Sequence, residues 1–454
     1  MIEAIQVLFD LLPGLSTPII GIVMIGAMLF AIFVGFPISF TLIFLGIFFG
    51  AWGIGLKLTI FLMNLQFYGS MMEQTLAAVP LFVFMGFMME QAGLMERLFA
   101  AVQLMLARMK GSLFVAVLFV SVIFGAATGI VGASVTILGI MAASTMNRSG
   151  YDVRLASGTI TAGGTLGILI PPSIMLVVMG PVLEIPVTDL FAAAIIPGIL
   201  MAVLYLIYSV GRCWMNPALG PALPEEMIPD DRAHILREFF LGLVPPTILI
   251  AFALGSILSG WATPTEGAGM GAFGSILLTM LYGKFSLTST YDALKKTLEI
   301  SVLILFLVAA SNFFGAVFSR LGTPQMITDI LLSMDLSASM VVILILALIF
   351  LLGWPLEWVP IVLIILPILQ PVLIELQVDM LWFAILVAVC LQTAWLSPPV
   401  ALSAYFLKGV VPSWDLKDIY LGKMQFMVIQ IFGLALVFLF PAIAVWLPRY
   451  IYGG

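Results

Sequence analysis

A chain of 454 residues that is 63% hydrophobic, only 9% charged and carries a net charge of −6 is not a soluble globular protein, in which roughly a quarter of residues are charged. Several apolar runs near 20 residues make it a polytopic membrane protein, and their lack of strict alternation excludes a β-barrel. The only histidine, His234, sits in a charged loop, which removes His-based metal sites and His general-base chemistry, and the modest charge argues for no nucleic-acid partner.

Residues 1–18 carry Glu3 and Asp10 where a cleavable signal would be basic, and read as a periplasmic segment. Spans are expected at 19–34, 37–54, 76–92, 155–181 and 188–211, then at 240–258, 264–282, 297–318, 380–407 and 425–447. Residues 94–109, with Glu96, Arg97 and Arg108, read as an amphipathic interfacial helix. The Pro-rich acidic stretch 214–239 is the cytoplasmic linker between two halves. Cys213 and Cys390 fall in or beside apolar segments and read as small core residues rather than a disulfide.

Two segments are too long for one crossing. Residues 111–147 would run about 55 Å as a helix, against a bilayer core of about 30 Å. Gly125, Gly129 and Gly132 interrupt the segment, and Lys110 and Arg148 flank it. It reads as a re-entrant helical hairpin with its tip at 128–130. Residues 336–374, broken at Gly353, Pro355 and Pro360, read the same way. Non-helical tips at membrane depth are tolerated only inside protein or against a cavity.

The halves correspond by spacing. Pro37 pairs with Pro264, Gly86 with Gly315, Gly93 with Gly322, Gly125 with Gly353 and Pro171 with Pro398, at offsets between 227 and 229. These pairs divide the chain into repeats 19–213 and 240–454. Five crossings per half is an odd number, so the second repeat is expected to be inverted. Threading both termini to the periplasm leaves only Lys57, Arg320 and Arg449 outside, and fourteen of the 17 Lys and Arg residues inside, as the positive-inside bias requires.

Chemistry concentrates at the helix breaks. A proline lacks an N–H and crowds the carbonyl four residues back. Pro171 and Pro172 therefore free the carbonyls of Gly167 and Ile168, and Pro398 and Pro399 free those of Ala394 and Trp395. An unpaired carbonyl in hydrocarbon costs several kcal/mol, which a hard cation would offset, with hydroxyls from Thr165, Ser173, Thr393 and Ser397. A packed structural kink is the competing reading. Thr128, Gly129 and Ser134 mark the first tip; Trp354, Leu356, Glu357 and Trp358 mark the second. Half-helix N-termini at such tips can receive a carboxylate. Candidate cation ligands are Thr128, Gly129, Ser134, Thr165, Gly167, Gly353, Glu357, Thr393, Trp395 and Ser397. Candidate substrate contacts are Ile130, Pro171, Pro172, Ser173, Leu356, Pro398 and Pro399. Glu266 reads as a helix cap, Asn312 as interhelical glue, and no Lys or Arg falls deep inside a span. No catalytic constellation is visible, so an enzyme is not expected.

The stretch FGAATGIVGASVTILGIMAASTMNRSGYDVRLASGTITAGGTLGILIPPSIMLVVMG, from Phe124 to Gly180, strongly resembles the large membrane subunit of tripartite ATP-independent periplasmic (TRAP) transporters. Thr263-Pro264-Thr265-Glu266, Gly322-x-Pro324, Pro367-x-x-x-Pro371 and the second Pro-Pro extend the resemblance over essentially the whole chain. The resemblance implies an all-α polytopic membrane protein, an inverted-repeat elevator-type transporter with two re-entrant helical hairpins and two broken transmembrane helices. Hairpins 111–147 and 336–374 would move with broken helices 155–181 and 380–407, against spans 19–54 and 240–282 and the interfacial helix. It implies a bacterial inner-membrane location and sodium as coupling ion, with no other cofactor. It also implies an organic acid substrate, a small four-helix membrane subunit and a periplasmic binding protein. The chain length leaves no room for a fused small subunit, so a separate chain is expected. The family's common Ser-Gly-Ser tip is Thr128-Gly129-Ile130 here, and its Thr-Pro-Pro-Val-Gly break is Ser397-Pro398-Pro399-Val400-Ala401. A stand-alone sodium/carboxylate symporter of the same architecture is the alternative. Nothing in these motifs separates a C4-dicarboxylate from a sugar, keto or aromatic acid.

Overall fold

The computed structural model describes residues 14–223, 232–354, 356–398 and 402–453, with only the backbone of Ala126, Ala127, Thr128 and Arg232. The expectations at Pro355, Pro399, Val400 and Ala401 and at the Thr128 side chain lie outside the described residues. Among those described, every regular element is helical. The first half comprises α1 (Thr17–Val34), α2 (Ile38–Gly53), α3 (Leu56–Met72), α4 (Ala78–Gln91) and α5 (Leu94–Met105). It continues with α6 (Ser112–Thr128), α7 (Val131–Arg148), α8 (Val153–Thr165), α9 (Ile174–Leu183) and α10 (Val187–Met215). The second half comprises α11 (Arg232–Leu258), α12 (Pro264–Leu281), α13 (Leu287–Arg320), α14 (Thr323–Ser333), α15 (Ala338–Leu352) and α16 (Trp358–Glu375). It ends with α17 (Met380–Leu396), α18 (Leu402–Val410), α19 (Leu416–Leu439) and α20 (Ala442–Tyr452). Six of these helices are long and apolar enough to cross a bilayer, or seven if the bent pair α3–α4 is one span.

Local chemistry repeats between the halves. Asp152 caps α8 by accepting from Leu155 N at 2.8 Å, and Asp379 caps α17 by accepting from Trp382 N at 3.0 Å. Gly93 and Gly322 open α5 and α14 in the left-handed region, at φ 67° and 78°, where a side chain would be strained. Pro37 stands at the N-cap of α2 and Pro264 at the start of α12. Two helices of one half form a hairpin around a left-handed Gly129, φ 58°; their counterparts α15 and α16 meet across 353–357.

The bodies are held by close backbone approach, the usual currency of helix association in lipid. A Cβ on Gly422 would lie 2.0 Å from the Arg154 carbonyl, and one on Gly158 would lie 2.7 Å from the Gly422 carbonyl, so α19 rests directly on α8. In the other body a Cβ on Gly242 of α11 would meet Leu98 N of α5 at 2.9 Å. That contact is reinforced by Arg97 Nε on Glu238 Oε2 at 2.9 Å and by the Arg97 guanidinium over the Tyr282 ring.

Several boundaries differ from the sequence expectation. The expected span 76–92 is only the second arm of a longer one: Leu56–Met72 and Gln74–Gln91 meet at a 54° bend. Lys57, Asn64, Gln66 and Ser70 dilute the apolar signal of the first arm. The span expected at 425–447 does not exist as one helix; α19 stops at Leu439, and α20 begins after Pro441. The interfacial helix ends at Met105, short of 109. Of the linker expected at 214–239, α10 takes the first two residues, and α11 begins at Arg232 and so includes His234. The largest correction is Lys423, expected at the cytoplasmic surface. It lies two turns inside α19, 0% exposed, with its ammonium 3.6 Å from the Tyr420 ring centroid. Cys213 and Cys390 are buried free thiols.

Candidate functional site

Both Pro-Pro segments are real interruptions. After Thr165 the α-helical ladder tightens into a 3-10 turn, Leu166–Ile168, and α-helix resumes only at Ile174. The second helix stops at Leu396 and resumes at Leu402. Each break is seated against the end of a hairpin's first helix. A Cβ on Gly167 would lie 2.9 Å from the Gly125 carbonyl oxygen, so the two backbones touch. At the corresponding position a Cβ on Gly353 would lie 3.1 Å from Ala394 Cβ. Gly129, at the first tip, packs on Ile174 at the start of α9. Ser134 is buried on α7, and its neighbour Val135 closes on Gly164, just ahead of Thr165.

This seating brings helix ends together in sign. The C-termini of α6 and α8 meet at the first break, and those of α15 and α17 at the second, and helix C-termini carry partial negative charge. The helices that restart there, α7, α9, α16 and α18, present N-termini, which favour anions. Each break is thus suited to a cation on one side and a carboxylate on the other.

The side chains refine the expected ligand set. Thr165, Ser173, Thr393 and Ser397 are all buried, none more than 1% exposed. The Thr165 hydroxyl donates to the Ala162 carbonyl at 2.8 Å, that of Thr393 to Cys390, and that of Ser397 to Thr393 at 2.7 Å. Ser397 Oγ also lies 3.2 Å from Met427 Sδ, and in each case the hydroxyl spends its one proton as a donor, which leaves oxygen lone pairs for a cation. Two of the carbonyls expected to be free are not. The Ser173 hydroxyl donates to the Ile168 carbonyl, and the Ser403 hydroxyl donates to the Trp395 carbonyl. The Trp395 carbonyl, a candidate ligand, and the Ser173 hydroxyl, a candidate substrate contact, each already make one of these bonds, and each oxygen keeps lone-pair capacity. Gly167 and Ala394 are the proline-freed carbonyls for which no such cap is present among the described residues. Ser403 was missed because eight residues separate it from Trp395, and no local pattern carries that distance.

A cavity of about 180 Å³ lies at the second break, lined by Gly353, Leu356, Glu357, Ala394, Trp395 and, from α2, Ile38. The Trp395 indole N–H is buried there without an acceptor among the described residues. Pro171, Pro172 and Pro398 flank the breaks; the first two are buried, and none lines this cavity. A second cavity, about 410 Å³, begins at the first tip with Ile130 and Gly132 and runs to Glu90, Lys296 and Glu299. Phe406 lines it, and its ring lies 6.4 Å from that of Trp395, so the two cavities are separated by little more than these rings. A third, about 210 Å³, is lined by Gln66, Ser70, Glu73 and Asn312 beside Val178 and Pro181. Asn312 there donates to Ser70 Oγ at 3.0 Å, the interhelical bond expected of it. Glu266 is a cap: its carboxylate accepts from Thr263 N at 2.8 Å while Thr263 Oγ1 accepts from Glu266 N. Among the described residues no three His, Cys, Asp or Glu side chains cluster as a metal site, so a cation here would rely mainly on neutral oxygens, with Glu357 the one carboxylate lining the cavity at the second break.

Between the breaks lies a buried polar strut. Gln392 Nε2 donates to the Thr165 carbonyl at 3.2 Å, and Gln392 Oε1 accepts from Gln430 Nε2 at 2.7 Å. The Tyr205 hydroxyl lies against Thr165 without hydrogen-bond geometry, and among the described residues neither it nor Gln430 Oε1 has a partner.

Paired hairpins, paired broken helices and oxygen-lined breaks in an all-helical multi-pass chain define a membrane transporter. Residues 25–443 match the family described as tripartite ATP-independent periplasmic transporter, DctM component, and the chain belongs to that family. It is 29% identical to the sialic acid TRAP transporter large permease SiaM of Vibrio cholerae over 93% of this chain and 97% of that protein. It is also 29% identical to the C4-dicarboxylate TRAP transporter large permease DctM of Pseudomonas aeruginosa, over 83% and 87%. To the 2,3-diketo-L-gulonate TRAP transporter large permease YiaN of Escherichia coli it is 24% identical, over 94% and 98%. Its fold is similar to the crystal structure of the Alcanivorax borkumensis YdaH transporter, TM-score 0.61, at 16% identity over 87% of this chain and 90% of that one. The chain is therefore a multi-pass inner-membrane transport permease and not an enzyme.

Proposed function

We propose that this chain imports an organic carboxylate in symport with sodium, the substrate being delivered by a periplasmic binding protein and the chain being paired with a small four-helix membrane subunit. The family supplies the partners, and relatives named for sialic acid, C4-dicarboxylates and diketogulonate supply the substrate class. The observation that carries the ionic coupling is the seating of each helix break on a hairpin, Gly167 on Gly125 and Ala394 on Gly353, amid buried hydroxyl oxygens. Sodium at the C-terminal ends would neutralise the site, and the carboxylate would lie on the restarted N-termini, with the Trp395 N–H as a donor. A membrane potential contributes about 2.3 kcal/mol per charge per 100 mV, so sodium in excess of substrate charge drives accumulation.

Motion is proposed as an elevator: the hairpins and broken helices move together against α1–α5 and α11–α14. With both termini periplasmic, the cavity from Ile130 to Lys296 would face the cytoplasm. Uptake into proteoliposomes should require the sodium gradient and the binding protein. Undiminished uptake without sodium would end the sodium assignment, and uptake by this chain alone would favour a stand-alone carrier. A reporter at the C-terminus that is active only in the cytoplasm would refute the threading.

A further inference from the structure

The two breaks are joined by a single buried side chain. Thr165 closes α8 at the first break, and its carbonyl accepts from Gln392 Nε2 at 3.2 Å. Gln392 stands 227 residues after Thr165, the offset that also relates Pro171 to Pro398, so it occupies the equivalent place on the other broken helix. The next residue, Thr393, offers its hydroxyl oxygen at the second break. Gln392 is itself held from behind, its Oε1 accepting from Gln430 Nε2 at 2.7 Å, and both glutamines are 0% exposed. A buried amide used at both ends cannot swing away without stranding a polar group.

We propose that Gln392 is a positioning residue that couples the two cation sites, so that filling one raises the affinity of the other. The proposal rests on the sodium-symport reading above. A cation drawing on the oxygens of the first break sets the position of the last turn of α8. The strut transmits that position to Gln392, and so to Thr393 and the end of α17. Coupling of this kind is reciprocal, since each site must change the other's affinity by the same factor. Gln392 touches neither ion in this scheme; it fixes where the ligating oxygens stand.

The test uses the whole transporter in proteoliposomes, with initial uptake measured against external sodium. A parallel measurement follows the melting temperature of the purified chain against sodium, which needs no transport. Two variants remove the link. Gln392→Met keeps length but has no hydrogen-bonding group, and Gln392→Asn keeps polarity but is one methylene too short. Gln425→Met is the control, because Gln425, on the same helix as Gln430, bonds Tyr208 and lies outside the chain from Thr165 through Gln392 to Gln430. The wild type is expected to show a Hill coefficient approaching about 2, the ceiling for two coupled sites. Both Gln392 variants should be less steep, with half-saturating sodium raised several-fold, and Gln425→Met should stay as steep as wild type. If Gln392→Met fails to fold, Gln392→Asn decides. Wild-type steepness in the folded Gln392 variants overturns the proposal, as does an equal loss in Gln425→Met, which would indicate general core damage. A wild type indifferent to sodium would instead overturn the sodium reading itself.

Discussion

The contact between Gly167 and Gly125 gives the sharpest single perturbation. A Cβ on Gly167 would lie 2.9 Å from the Gly125 carbonyl oxygen and 3.2 Å from its Cα. Both are backbone atoms, so no rotamer change can relieve the clash. Restoring ordinary contact requires the hairpin and the break to separate by about 0.5 Å. Overpacking of this sort costs roughly 1–3 kcal/mol. If about 2 kcal/mol falls on the seated arrangement that holds the ion, sodium affinity drops roughly 30-fold, since about 1.4 kcal/mol is a factor of ten. The second repeat supplies the internal control. Ala394 already carries the methyl that Gly167 lacks, and it is accommodated because Gly353 has none. Ala394→Gly adds no bulk against a backbone and should therefore shift sodium dependence less than Gly167→Ala. The assay is sodium-dependent uptake for Gly167→Ala, with melting temperature measured alongside. Half-saturating sodium within twofold of wild type, with an unchanged melting temperature, would refute the idea that seating sets ion affinity.

Thr165→Ala and Ser397→Ala should each raise half-saturating sodium while costing about 1 kcal/mol or less in stability, because the main bond of each hydroxyl is to a carbonyl of its own helix, with Met427 Sδ a second, weak acceptor for Ser397. If neither alters the sodium dependence of uptake, the breaks are structural kinks. Ser173→Ala and Ser403→Ala should instead act on stability. Each strands a buried carbonyl, Ile168 or Trp395, at a cost of about 1–3 kcal/mol that a melting curve would register. Thr263→Ala removes a reciprocal helix cap and should cost about 0.5–2 kcal/mol without changing sodium affinity. Lys423→Met replaces a buried ammonium that has no oxygen acceptor among the described residues. The variant should melt no lower than wild type, and a clear fall would show that the charge has a structural role.

What was legible in the sequence was the punctuation. Paired prolines, hairpin glycines and charged flanks depend only on local chain chemistry, and the helices are interrupted at Gly129, Gly353 and Pro171-Pro172, although they run through Gly125, Gly132 and Pro360. Less legible was anything set by a distant partner. The bent arm Leu56–Met72 was hidden because its polar residues are answered by another helix, Ser70 by Asn312. Lys423 looked like an end marker because a lysine near the start of an apolar run ordinarily faces water, whereas here α19 begins earlier and is packed against α8. The proline rule correctly located the strained carbonyls, but it could not reveal that Ser173 and Ser403 reach back across the breaks to two of them.

Those two serines also bear on how the two halves reach a similar arrangement with different residues. Both repeats cap the second freed carbonyl, but from different distances: five residues in one and eight in the other. Both seat the first freed residue against a hairpin, with two glycines in one and a glycine and an alanine in the other. The long helix beside them is bent at Glu73 in the first repeat and continuous from Leu287 to Arg320 in the second. What is shared is therefore the contact rather than the residue: at each break one residue whose carbonyl has no cap among the described residues packs against the end of a hairpin helix. The two serines are 230 residues apart, close to the offset of the glycine and proline pairs, so the three-residue difference in reach is nearly all that separates the two caps. The shared contact also sets where the halves are free to differ. An asymmetric bend confined to the first repeat places Gln66, Ser70, Glu73 and Asn312 around a cavity beside α9, so polarity is added to one side of the carrier without disturbing either break.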